Sequence, residues 1–355
     1  MHGDVNAHTH LYSGLAPLGL PSPSVPPQNF PQILQRIWWR LDRALDEASL
    51  RGAARLYVAE SLLAGTTALI DHHESPLFIA GSLDVLADVC QALGMRALLC
   101  YGATDRNGGP GEGEAGLAEC ERFVRSNRRP LVRGLCGLHA SFTVSDATVQ
   151  RAGDLCRRLQ VPLHVHMAED RCDVTHAQAA GDAGPLQRLL RLSALPAGSI
   201  LAHGVHLQAE EVRRADALGL WLVHNPRSNH ANGVGYAHGL RHSSHVALGT
   251  DGFPADMAQE KAALRQHGPP DSDADLVADQ RLQGGREILR QHFSDADLAS
   301  DQVTRDSTGR VHSVQVGGRL VVENGRLLCD DLDAIRSEAA REAARLWQRM
   351  RALPE

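Results

Sequence analysis

No apolar run in the chain approaches the ~20 residues that a membrane-spanning helix needs. Basic charge is not in excess either. Thirty-six Lys and Arg face 42 Asp and Glu, for a net charge of −6, so the positive footprint of a nucleic-acid binder is missing. The seven cysteines (Cys90, Cys100, Cys120, Cys136, Cys156, Cys172 and Cys329) are scattered, with no Cys-x-x-Cys. They fit small buried residues of a chain kept in a reducing cytoplasm, not a disulfide framework. No secretory signal is expected, because the first ten residues are polar and already read as a strand. No Gly-x-Gly-x-x-Gly follows an early strand, which disfavours a doubly wound dinucleotide-binding sheet. With membrane and nucleic acid set aside, the expected partner is a small molecule.

Histidine, by contrast, is over-used: 19 in 355 residues. The stretch Asp4-Val5-Asn6-Ala7-His8-Thr9-His10-Leu11-Tyr12 is a short run ending in His-x-His. In a strand, residues two apart point to the same side, so His8 and His10 can grip one metal ion. Ser13 to Asn29 holds five prolines and is expected to be neither helix nor central strand. Ile33, Leu34, Ile37, Trp38, Leu41 and Leu45 recur at helical spacing, and the tryptophans are expected in the core. A second helix spans 48–63. It leads into the buried strand Thr66 to Ile70, which ends in Asp71-His72-His73.

The alternation then repeats. Helix 81–93 precedes strand 95–101, and helix 114–127 precedes strand 131–139. Ser145 is expected to cap the following helix, which leads to strand 161–167. Helix 184–192 precedes strand 199–203, helix 208–218 precedes strand 220–224, and the last strand runs from Val246 into Gly249-Thr250-Asp251-Gly252. Strand and helix alternating over about 250 residues predict a (β/α)8 TIM-like barrel, with an open doubly wound sheet as the runner-up. In such a barrel, chemistry sits at the C-terminal strand ends, which is where these histidines fall. Residues 266–280 are expected to be a loop and about 279–292 a closing helix. Val311–Val316 and Leu320–Val322, joined by Gly317-Gly318, form an expected hairpin. The last helix carries Ile335, Ala339, Ala343, Leu346, Trp347 and Met350 on one face. Residues 1–300 thus read as the barrel and 301–355 as a hairpin with a helix.

The metal ligands read from this order are His8, His10, His166 and Asp251. Imidazoles and a carboxylate suit zinc, and a bound zinc lowers the pKa of its water enough to supply hydroxide near neutral pH. Glu169, three residues after His166, can move that water's proton to a leaving group. His203 can polarise substrate or help deprotonate the water, and Asp251 can also hydrogen-bond it. Singly, each has a plainer reading: a strand-end histidine is commonly just a hydrogen-bonding residue, and Asp251 can be a turn residue. The order along one barrel favours the metal.

Asn-Ala-His8-Thr-His10, His166-Met-Ala-Glu169, Ala-His203-Gly and Gly-Thr-Asp251-Gly resemble the amidohydrolase superfamily, in its mononuclear deaminase and chlorohydrolase branch. Asp71-His72-His73-Glu74-Ser75-Pro76, Cys100-Tyr101 with Asp105-Arg106-Asn107-Gly108, His139-Ala140-Ser141-Phe142-Thr143 and His224-Asn225-Pro226-Arg227-Ser228-Asn229 are similar to SsnA-type aminohydrolases. The resemblance implies one metal, zinc or sometimes Fe2+, on the His-x-His pair, His166 and Asp251. Proton transfer then falls to Glu169 and His203, and substrate contact to His139. His164 matches a non-ligand position, and no lysine ends the fourth strand to bridge two metals. Tyr12, Arg106 and Asn225 are further expected substrate contacts; Arg227 and Asn229 can equally brace their loop. A homodimer is the family expectation. The family also implies about sixty residues before the first strand, which pair with C-terminal strands in a small β-sandwich. Only Met1-His2-Gly3 stand there, so the C-terminal hairpin is expected to be the remnant of that sandwich. The activity implied is deamination of an amino-substituted N-heterocycle such as a purine or pterin. The alternatives are chlorohydrolase or cyclic-amide hydrolase chemistry at the same site, or a catalytically silent relative.

Overall fold

The computed structural model describes residues 1–269 and 274–354. Strands β1 (Asp4–Thr9), β2 (Thr66–His73), β3 (Arg96–Ala103), β4 (Val132–Gly134), β5 (Cys136–Ala140), β6 (Leu163–Met167), β7 (Ile200–His203), β8 (Trp221–His224) and β9 (Val246–Leu248) pair in parallel and in chain order. The expected strand 131–139 is broken at Leu135. Its first piece, β4, pairs with β3, and the second, β5, passes the ladder on to β6. The circle closes where the chain after β9 returns to β1. Thr9 bridges Asp251, and the N–H groups of Thr250 and Asp251 both donate to the His8 carbonyl at 3.0 Å. This TIM-like closure sets the two ends of the proposed ligand set side by side.

The strands form because their residues can be buried on both faces. Every residue of β2 and β3 is buried, as parallel strands under a helical layer require. The covering helices carry ordinary start and stop signals. Helix Glu47–Ala64 begins with an Asp46/Ser49 capping box and ends at Gly65, whose φ is 93°. Ser145 caps helix Asp146–Leu159 by accepting from the Thr148 N–H, as expected.

Three local expectations are corrected. Leu11–Leu18 is a 3-10 helix containing Pro17, not irregular loop. Its buried Leu11, Tyr12 and Leu15 anchor it, and Pro17 near its C-terminal end costs it a single backbone hydrogen bond. Helix 33–45 is Phe30–Ile33, then a π-helical turn Leu34–Trp38, then Trp39–Ala44. The extra residue re-aims Trp38 and Trp39, which are half-buried and line a cleft, Trp38 while still packing against the core. The polar stretch 266–280 is largely helical: Met257–His267 is followed by Ala274–Arg290, and 270–273 lie outside the described residues. The apolar face of the second helix, with Ile288 and Leu289 buried, outweighs its polar composition.

The C-terminal hairpin is present with its Gly317-Gly318 turn, but it is not alone. β10 (Gln302–Arg305), β11 (Val311–Val316), β12 (Arg319–Glu323) and β13 (Arg326–Leu327) form a four-stranded antiparallel sheet. A hairpin by itself is marginal; here Val303, Val314, Val316, Val321 and Val322 join one core with Leu50, Leu62 and the expected face of helix Leu332–Ala352. The sheet is also tied down by charge. Arg96 at the start of β3 is 1% exposed and meets Asp301 twice, Nε to Oδ2 at 2.6 Å and Nη2 to Oδ1 at 2.8 Å. Removing one partner leaves a buried charge uncompensated. Arg96→Ala is therefore expected to lower the unfolding free energy by about 3–5 kcal/mol, read from denaturant midpoints. No helix among the described residues is long and apolar enough to cross a membrane.

Candidate active site

The site lies where strands β1, β2, β5, β6, β7 and β9 end. His8 comes from β1 and His10 directly follows that strand, while His166 comes from β6, His203 from β7 and Asp251 from the turn after β9. Each of the four imidazoles has its Nδ1 engaged. His10 Nδ1 donates to the His72 carbonyl at 2.5 Å, and His166 Nδ1 to the His139 carbonyl at 2.6 Å. His8 Nδ1 meets His164 Nε2 at 2.9 Å, and His203 Nδ1 meets Asn229 Oδ1 at 2.8 Å. A carbonyl oxygen only accepts, so the rings of His10 and His166, when neutral, turn proton-free Nε2 atoms inward.

Those Nε2 atoms converge. His10 Nε2 is 2.9 Å from Asp251 Oδ1 and 3.3 Å from His166 Nε2, and His8 Nε2 is 3.5 Å from the same carboxylate oxygen. Ligand atoms of His8, His166, His203 and Asp251 all lie within 4.8 Å of one another. The Nε2 atoms of His8 and His203 are buried and find no hydrogen-bond donor or acceptor. Buried lone pairs aimed at one point repel each other unless a cation sits between them. Three imidazoles, one carboxylate and outer groups fixing each ring make a donor set that suits zinc or Fe2+. His164, which holds His8, is an outer group of this kind.

Backbone strain concentrates here. Asp251 has φ 54°, His203 φ 75° and Ala168 φ 47°, all in the left-handed region that non-glycine residues avoid. Ser228 Oγ donates to Asp251 Oδ2. Burial alone would raise Asp251; the imidazoles of His10 and His8 beside its Oδ1 hold it well below the usual carboxylate range. Glu169 moves the other way. Burial, and then the charge of Asp251, push it well above that range. Its Oε2 is 3.6 Å from His203 Nε2, and its Oε1 accepts from Asn232 at 3.4 Å.

A cleft of about 670 Å³, counting the space at its open mouth, stands over these groups. Tyr12, His139, Glu169 and Asp251 line it, as the sequence suggested. Arg106 and Asn225 are placed behind the wall. Arg106 is paired with Asp42 and lies 5.1 Å over the Trp39 ring, and Asn225 is fully buried with its amide 3.4 Å from His203 Nδ1. Arg227 is bound to Glu260 and Asn229 to His203, so both brace the loop. Sequence reasoning missed Glu74, Asp42, Asp173 and Asn232 in the lining, together with Phe30, Trp38 and Trp39. The motif Asp71-His72-His73-Glu74 was the one signal that could have flagged Glu74.

Asp173 is fully buried and accepts the Ala168 N–H at 2.8 Å. Burial, partly offset by the N–H groups of Ala168 and Phe142, pushes it up to about 7. A carboxyl raised in this way favours the fold while protonated. Its contribution is full below about pH 4 and is lost as pH rises through about 7. Asp173→Asn stays neutral throughout. It should flatten the fall in unfolding free energy between pH 4 and 7 by roughly 1 kcal/mol per pH unit, read from urea midpoints.

The chain belongs to the amidohydrolase family, whose model matches residues 2–284. Among curated proteins, an 8-oxoguanine deaminase of Pseudomonas aeruginosa is 31% identical over 243 residues, which are 64% of this chain and 53% of that protein. A 5-methylthioadenosine/S-adenosylhomocysteine deaminase of Desulforudis audaxviator is 26% identical across 97% of this chain and 86% of that one. The matched stretch thus spans about half of the first relative. Among solved structures, an adenosine deaminase from Xanthomonas campestris with bound zinc superposes with a TM-score of 0.75 at 23% identity, covering 99% of this chain and 86% of that one. An atrazine chlorohydrolase from Arthrobacter aurescens complexed with zinc gives 0.75 at 20%, covering 97% and 88%. At these identities the likeness is one of fold.

Proposed function

We propose that the protein is a metal-dependent aminohydrolase that deaminates an amino-substituted N-heterocycle. The observation that carries this reading is the inward convergence of the Nε2 atoms of His8, His10 and His166 on Asp251, with Glu169 and His203 beside them. We assign zinc to the first four, with Fe2+ as the alternative. When bound, the metal supplies Lewis acidity that makes water nucleophilic near neutral pH. The chain's own groups do the rest. In the reaction, water oxygen bonds to the ring carbon and the carbon–amine bond breaks, so that ammonia leaves. Glu169, held by Asn232, is placed to take a proton from water and deliver it to the ring nitrogen and then to the departing amine. His203, with Nδ1 donating to Asn229, keeps a lone pair on Nε2 for the same traffic. Tyr12 and His139, with the aromatic wall of Phe30, Trp38, Trp39 and Phe142, are placed to bind the ring.

Chlorohydrolase and cyclic-amide hydrolase chemistry remain the alternatives, since the same site activates water against a different leaving group. Residues 1–300 carry every residue of this set and 301–355 none; the homodimer rests on the family expectation. The test is product analysis. Zinc-loaded protein incubated with purines, pterins and triazines should release ammonia from at least one class. Chloride release or a ring-opened product would replace this reading by an alternative, and no product from any class would favour a silent relative.

A further inference from the structure

The cleft contains a buried carboxylate that this mechanism does not use. Glu74, just past the end of β2, is 2% exposed and lines the cleft wall. Both its oxygens are buried, and neither lies in hydrogen-bond geometry with a donor. Oε1 is 2.7 Å from His72 Nδ1, in ion-pair range. Oε2 is 3.5 Å from His10 Nδ1, whose proton is spent on the His72 carbonyl at 2.5 Å. With Oε1 set against His72, Oε2 is the buried acceptor left without a donor, and such an acceptor is costly to keep. Gly102 leaves room for the carboxylate: a Cβ there would come within 2.6 Å of Glu74 Oε1 and 2.4 Å of His72 Cε1.

Its neighbour has the same polarity. His139 Nδ1 lies 3.0 Å from Thr143 Oγ1, whose own proton goes to the Ala140 carbonyl at 3.0 Å. His139 is then the donor in that pair and its Nε2 is left as an acceptor. Ring nitrogens of His139 and His166 and an oxygen of Glu74 lie within 4.8 Å of one another. Glu169 stands against His203, while Glu74 stands against His10 and His72. A flat ring over the centre would thus meet the proton carrier on one flank and two acceptors on the other.

We propose that Glu74 is a specificity-determining residue: it accepts a hydrogen bond from a ring N–H beside the amino-bearing carbon and so selects oxo-amino heterocycles with a lactam N–H over rings whose edge offers only lone pairs. This rests on the deaminase reading. Guanine-like and pterin-like rings carry such an N–H; adenine-type rings would set a nitrogen lone pair against the carboxylate. A site built to receive an N–H rejects the ring lacking it far more strongly than an apolar pocket rejects a missing methylene.

Guanine and 2-aminopurine share the leaving amine and differ in the lactam, so the metal-loaded enzyme is assayed with both. The expected result is a kcat/KM preference for guanine of about 100-fold or more. Glu74→Gln and Glu74→Asp, each with its metal content measured, should reduce that preference by about tenfold or more. Equal kcat/KM for the two rings, or an unchanged preference in whichever variant retains metal, overturns the proposal. If the wild type turns over neither ring, the deaminase reading loses that support and binding decides the inference separately. Hypoxanthine, which has the lactam N–H, should then bind at least about tenfold more tightly than purine in calorimetry, and equal affinity overturns it.

Discussion

Replacing Glu169 by Gln is expected to lower kcat by about 10²- to 10⁴-fold while the protein stays folded and keeps its metal. Gln has nearly the same shape and can still meet Asn232, so the change removes proton transfer and little else. Glu169 suits the task because its environment is mixed. Its side chain is 13% exposed at the cleft, yet burial and the nearby Asp251 charge hold its pKa well above the usual carboxylate range. A carboxyl shifted upward in this way is better matched to passing a proton from water to a poor leaving group. The check is steady-state kinetics with a proven substrate, beside elemental analysis of the same sample. Full activity in the variant would remove Glu169 from the mechanism. A loss of metal in step with activity would assign it to the centre instead.

His10→Ala should abolish metal binding, taking the content from about one equivalent per chain to about zero. His10 Nε2 is the inward imidazole nitrogen nearest Asp251 and also faces His166, so its removal opens the middle of the donor set. Chelation of the wild type should likewise abolish turnover, and added zinc should restore it in the wild type but not in His10→Ala. The contrast that makes the result specific is His164→Ala. His164 touches His8 at Nδ1, on the ring's far side from the centre. Loss of such an outer partner weakens metal affinity by about 10- to 100-fold without destroying the site. Equal metal content in wild type and His10→Ala would sink the assigned ligand set. Binding also stabilises a native state by mass action, about 2.7 kcal/mol at 100 times Kd. Zinc should therefore raise the melting temperature of the wild type and leave that of His10→Ala unmoved.

The barrel was legible in the sequence because its signals are local. Apolar runs of β2 or β6 length, separated by amphipathic helices, specify parallel strands wherever they occur, and a parallel barrel brings their C-terminal ends together. The proposed metal set followed from the same logic. His8 and His10 share a face by strand periodicity, and His166, Glu169, His203 and Asp251 each end a strand or follow it closely.

Pairings between distant residues were not legible. Arg106 reads as a free cation beside the cleft until Asp42, 64 positions away, neutralises it. Trp38 sits at core spacing on an ideal helix, and one π-helical turn sets it with Trp39 on the cleft wall. β10 and β13 are short and exposed along most of their length, so no period marks them; they exist because β11 and β12 offer free edges. Glu74 follows two histidines in a motif that alone says nothing of direction. Its place in the cleft depends on the room that Gly102 leaves across the sheet. Strand and helix are set by the order of neighbouring residues, and so the sequence by itself determined the barrel and the ring of strand-end histidines and carboxylates at its mouth. Which charges are spent on partners and which remain for a ligand depends on contacts between residues far apart in the chain, and only the tertiary structure decided that.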